Sequence, residues 1–172
     1  MPRIAAPILA LTLFLAMPAL GADKPGRGPM PAAPPAELAA WAAPVPDGLS
    51  AGASVDAAPV IAPGKAVELA LRPEGGVKLA ATPGKVGTGT SFAGLFSLTV
   101  DRPGTWRVAL GKAAWIDLVK DGAAIASTAH GHGPACTGIR KIVDFDLKPG
   151  RYLIQLSASP ADRMTALVLP PA

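Results

Sequence analysis

From Gly64 to the end of the chain, no run free of both proline and glycine is longer than about ten residues. That punctuation constrains the fold more than any other feature. Proline removes a backbone donor and fixes φ, and glycine supplies the positive φ of tight turns. An ordinary helix of about 8–20 residues has little room between such breaks, whereas a strand of five or six fits easily. Between the breaks the residues alternate apolar and polar. This predicts strands at Ala66 to Leu71, Val77 to Ala80, Gly94 to Val100, Thr105 to Leu110, Trp115 to Val119, Ala123 to Ser127, Ile142 to Leu147, Tyr152 to Ala158 and Thr165 to Leu169. Turns are expected at PGK (63–65), RPEGG (72–76), DRPG (101–104), KDG (120–122) and KPG (148–150). KDG between two apolar runs is the clearest hairpin signal. The expected fold is all-β: an antiparallel, jelly-roll-like β-sandwich of eight or nine strands.

Two segments echo each other. FSLTVDRPGTWRVALG (96–111) and FDLKPGRYLIQLS (145–157) share an F-x-L strand, a Pro-Gly turn, an aromatic and a closing apolar strand. Each reads as a hairpin whose second strand sends an aromatic into the core, with Gly104 and Gly150 in backbone conformations that a Cβ would strain. Two copies do not make a repeat array.

Ahead of the strands, MPRIAAPILALTLFLAMPALGA carries an early cation, Arg3, then an apolar run, then small residues at Ala19, Gly21 and Ala22. That is the pattern of a secretory signal peptide over residues 1–22, with an apolar run too short to span a bilayer. It implies a periplasmic or secreted protein with no membrane anchor after cleavage. Residues 23–63, dense in proline and alanine, read as an extended leader. Within it PAELAAWA (35–42) is expected to form a helical turn or two that docks Trp41. The sandwich then occupies 64–172, one domain with a core of its own. A single cysteine, Cys136, excludes an internal disulfide. The formal charge of +4 is scattered, with no basic run, so nucleic acid is not an expected partner. A small ligand or a cell-envelope protein is.

Chemistry-bearing residues concentrate in STAHGHGPACTGIRK (127–141), which holds both histidines of the chain and its one cysteine. On a strand, H-x-H sends both imidazoles to one face because side chains alternate with period two. Cys136, four residues on, is positioned to close a set with His130 and His132. Imidazole with thiolate suits copper or zinc, with iron a third option. Competing with this is a plain ordered loop, in which the histidines bond to backbone and the thiol packs as a small hydrophobe. Arg140 and Lys141 follow directly and are candidates for holding an anionic ligand. Asp117, Asp121, Asp144 and Asp146 are the carboxylates within range, with no spacing that fixes any of them as a ligand. Cys136 with an imidazole base would be a thiol nucleophile. The functional expectation is a binding or accessory module that uses this loop, with a small metal-dependent oxygenase or thiol enzyme as the alternative.

Three resemblances bear on this expectation. The run L-x-P-G-x-Y-x-I-x-L at 147–156 resembles the last hairpin of pre-peptidase C-terminal-type domains, which implies a jelly-roll fold. H-x-H resembles the first cupin metal motif, although Cys136 stands where that family has a glutamate and LKPGRYLIQLS has no later histidine. The stretch AAWIDLVKDG…STAHGHGPACTGIRKIVDFDLKPGRYLIQLS is similar to short exported proteobacterial proteins that carry a homogentisate 1,2-dioxygenase label. That similarity implies iron(II), with His130 and His132 as its histidine ligands and no carboxylate that matches the third position.

Overall fold

A computed structural model describes residues 32–172; the signal-peptide segment lies outside the described residues. The strands run β1 (Val45–Ser50), β2 (Ala66–Ala70), β3 (Arg72–Pro73), β4 (Phe92–Val100), β5 (Gly104–Leu110), β6 (Trp115–Lys120), β7 (Ala123–Ile125), β8 (Ala129–Gly131), β9 (Lys141–Leu147), β10 (Gly150–Ser159) and β11 (Arg163–Leu169). They form two sheets, one ordered β1-β2-β11-β5-β9-β8 and the other β3-β4-β10-β6-β7. All pairings are antiparallel except that of β1 with β2. The result is an all-β sandwich.

Alternation explains the layers. In β10 the side chains of Tyr152, Ile154 and Leu156 enter the core between the sheets, where they meet Phe96, Leu98, Trp106, Val108, Phe145 and Val168. In β5 and β11 the intervening Ala109 and Leu167 face outward. There they are covered by a 3₁₀-helix at Ala36–Ala42 that buries Leu38 and Trp41. The Trp41 indole N–H donates to the Thr137 carbonyl at 3.1 Å. Burying two such side chains stabilises by about 1.5–3 kcal/mol each.

Three expectations are corrected here. First, the ordered domain begins well before Gly64. β1 lies alongside β2, Ala51 and Ile61 are buried in the main core, and Gly52 and Val60 bridge to Leu95 and Ser97. VPDGLS carries proline, aspartate and glycine, which disguise a strand, and β1 sits at a sheet edge where a missing proline N–H costs no ladder bond. Second, Val77 to Ala80 is not a strand. It opens a strap over the outer face of the β3-to-β7 sheet. Its backbone donors go to the Ala53 carbonyl (Lys78 N–H, 2.8 Å) and to the Gln155 side chain (Ala80 N–H, 2.8 Å; Ala81 N–H, 3.1 Å).

Third, the two echoed Pro-Gly units are corners, not hairpins. β4 and β5 belong to different sheets, and so do β9 and β10. The units pair crosswise: β4 with β10, with Val100 opposite Gly150, and β5 with β9, with Gly104 opposite Leu147. Both glycines sit at positive φ, +134° for Gly104 and +150° for Gly150. In each corner the aromatic two residues later turns its polar atom back to a carbonyl of its own turn. The Trp106 indole N–H donates to Arg102 O at 3.1 Å, and the Tyr152 hydroxyl donates to Lys148 O at 2.9 Å. The echo is therefore one corner device used twice. By contrast KDG is the hairpin expected: Lys120 pairs with Ala123, and both turn residues have positive φ (Asp121 +52°, Gly122 +78°), which makes a type I′ turn.

Candidate functional site

Register places the site at the end of the sandwich opposite the two corners. Leu110, at the far end of β5, lies opposite Lys141, and Ser157, near the far end of β10, lies opposite Trp115. Here the rim of one sheet (β8 and the start of β9) stands beside the start of β6 in the other, and a cleft of about 330 Å³ opens between them. Trp115, Lys85, His130, His132, Arg140 and Lys141 line it together with small residues. None of its lining residues is acidic.

Trp115 is fixed from three sides. Its indole N–H donates to Asp117 Oδ1 at 2.9 Å. The Lys141 ammonium nitrogen lies 5.0 Å above its ring. Gly84 packs so closely on the indole that a Cβ there would collide with it. The ring still keeps 38% exposure, while Trp41 and Trp106 keep 8% and 1%. Asp117 is buried, and its other oxygen accepts from the Gly84 N–H at 3.2 Å and the Gln155 amide at 3.3 Å. Gln155 and Ser157, buried on the outward face of β10, hold the strap that carries Lys85; the Ser157 hydroxyl donates to the Lys85 carbonyl at 2.8 Å. A polar network thus presents the indole and Lys85 to the cleft without offering it a carboxylate.

Lys141 is half-buried, and its Nζ donates to the Ala114 carbonyl at 3.1 Å. Burial pushes its amine below the ordinary lysine value and the nearby Lys85 adds to that depression, while Asp117 opposes both. Arg140 and His132 form a local pair. The His132 Nδ1 lies 3.1 Å from the Arg140 carbonyl and 3.2 Å from the Arg140 guanidinium. When Nδ1 carries a proton it donates to the carbonyl, and when bare it accepts from the guanidinium, so the contacts are alternatives.

Four of the five residues singled out from sequence meet here: His130, His132, Arg140 and Lys141. Cys136 does not. The chain turns through Gly133, Pro134 and Gly138, and Cys136 is exposed at φ +62° with its carbonyl accepting from the Ala32 N–H. The convergence expected of His130, His132 and Cys136 therefore does not occur. Among the described residues no three His, Cys, Asp or Glu side chains stand close enough to hold a metal ion. The carboxylates within sequence range are engaged elsewhere or set in a turn. Asp144 accepts two bonds from Arg107 at 2.8 and 3.0 Å, Asp146 accepts from Thr105, Asp117 is committed as above, and Asp121 sits in the type I′ turn. Two histidines without a carboxylate do not fit the iron(II) set that the dioxygenase label implies. Sequence reasoning missed Lys85 and Trp115 as cleft residues, because elements far along the chain bring them in.

The class defined by fold and site is thus a β-sandwich with a cationic, tryptophan-floored cleft at one end. No protein-family model matches the chain, and no curated protein is significantly similar to it.

Proposed function

We propose that this protein is a ligand-binding or accessory module of the cell envelope, periplasmic or secreted, whose cleft takes a small organic acid with a flat apolar body. The observation that carries this reading is the lining: one accessible indole and five basic side chains with no acidic residue among them. Like-charged groups crowded together are relieved by an anion, and an indole face supports a flat apolar group. The volume suits a ligand of modest size. Export rests on the Arg3, apolar-run and small-residue pattern of residues 1–22. Among the described residues no helix is long and apolar enough to cross a membrane.

Trp115 supplies the readout, since the other two tryptophans are buried. Phenyllactate should quench its emission saturably, and added salt should weaken the effect because the charges lie at an open cleft. Benzyl alcohol, which has the ring without the acid, should bind far more weakly. Equal affinity for the two, or no saturable quenching by the acid, overturns the reading. The metal-dependent and thiol-enzyme alternatives have less support: Cys136 does not line the cleft, and although Glu37 and Asp144 line a second cleft with His130 and His132, no three His, Cys, Asp or Glu side chains among the described residues stand close enough to hold a metal ion.

A further inference from the structure

Lys141 differs from the other basic groups of the cleft. Arg140 and Lys85 are exposed, whereas Lys141 is half-buried on the indole with Nζ anchored to the Ala114 carbonyl. The groups facing it across the cleft are Lys85 from the strap, Arg140 beside it and the two imidazoles of the β8 loop; its one opposing charge, Asp117, is tied to Trp115, Gly84 and Gln155. An amine held between like charges and apolar surface is the arrangement that makes lysine a nucleophile toward carbonyl groups. An uncharged amine keeps its bond to Ala114 with one N–H and retains a lone pair.

Building on the organic-acid reading above, we propose that Lys141 captures oxo acids covalently, as an imine formed within the cleft. The Nζ lone pair attacks the carbonyl carbon of a 2-oxo acid while the carboxylate is held by the neighbouring cations. The C=O π pair moves to oxygen to give a carbinolamine. That oxygen gains protons and leaves as water, nitrogen loses its protons, and C=N replaces C=O; one amine and one carbonyl yield one imine and one water. His130 and His132 line the same cleft and are the groups able to carry those protons. No oxidant or reductant enters.

The test uses the whole chain, phenylpyruvate and cyanoborohydride, which delivers hydride to the imine carbon and fixes the adduct for peptide mapping. Severalfold enrichment of adduct at Lys141 over every other lysine is expected, together with its loss in Lys141→Arg. In the parent protein phenyllactate, which has a hydroxyl in place of the carbonyl and forms no imine, should quench Trp115 without labelling and, in excess, suppress the adduct at Lys141. If phenyllactate quenches but phenylpyruvate labels lysines indiscriminately or not at all, covalent capture is overturned and the acid-binding reading stands. If neither compound quenches or labels at Lys141, both fail.

Discussion

The two ends of this sandwich are built by opposite rules. At the corner end the polar atom of each large aromatic is answered within a few residues: Trp106 bonds to Arg102 and Tyr152 to Lys148, and both rings are buried. At the cleft end, about 20 Å away along strands of six or seven residues, an indole stands half-open and five basic side chains line the cleft with no acidic residue among them. The corner end closes on itself, whereas the cleft end gathers charge of one sign, the feature on which the proposed acid-binding role rests.

The contrast breaks most readily at Trp106. Trp106→Ala should destabilise by about 3–5 kcal/mol, read as a fall in the urea midpoint, because it empties the core beneath a corner. A loss no larger than that of a surface mutation would mean that the corners are not the stable end. Gly150→Val comes next. A Cβ at 150 has only the flexible end of Lys120 within 3.1 Å, so strain at φ +150° should set the cost, about 1–3 kcal/mol. The same substitution at Gly104 should cost more, since its Cβ would also press on the Pro171 ring at 2.8 Å. Equal midpoints for the Gly150 variant and the parent would show the echo to be accidental. Tyr152→Phe removes the hydroxyl's bond to the Lys148 carbonyl and the one it accepts from the Lys148 N–H, and should cost about 1 kcal/mol.

At the other end the stability cost should be small beside the loss of binding. Trp115→Ala is expected to cost about 1 kcal/mol, for the bond lost to Asp117, while abolishing phenyllactate binding measured by calorimetry. A large unfolding effect would make the indole a core residue. The smallest effect is a slope. The Lys141 amine is depressed in the folded state, so the folded protein sheds that proton before the unfolded chain does. Between the folded value and the ordinary lysine value of 10.5 the unfolded state binds more protons, and stability should rise with pH across that window. Comparing urea midpoints of the parent and Lys141→Met through that range isolates the contribution; identical slopes would refute it.

What the sequence disclosed follows from which interactions are local. The KDG hairpin is legible because two positive-φ residues and a two-residue loop leave the chain one way to go. The Pro-Gly units are legible as turns, but not as corners, since whether the next strand joins the same sheet depends on partners far along the chain. Val77 to Ala80 has a strand's pattern and is claimed instead by Gln155, a long-range polar anchor no local rule registers. The cleft divides the same way. His130, His132, Arg140 and Lys141 were visible because they are close in sequence, Cys136 was overvalued for the same reason, and Lys85 and Trp115 were hidden by distance.

The crosswise pairing of the corners has a kinetic consequence. β4 finds its partner in β10, and β5 in β9, so neither corner unit can complete its ladder until the other has been made. Such a chain cannot acquire its core piecemeal from the N-terminal side. Pairings that close such large loops form slowly, because the loop-closure entropy is lost before the contacts are gained. A nascent chain ending before β10 would present β4 and β6 with open ladders, a ready substrate for a holding chaperone.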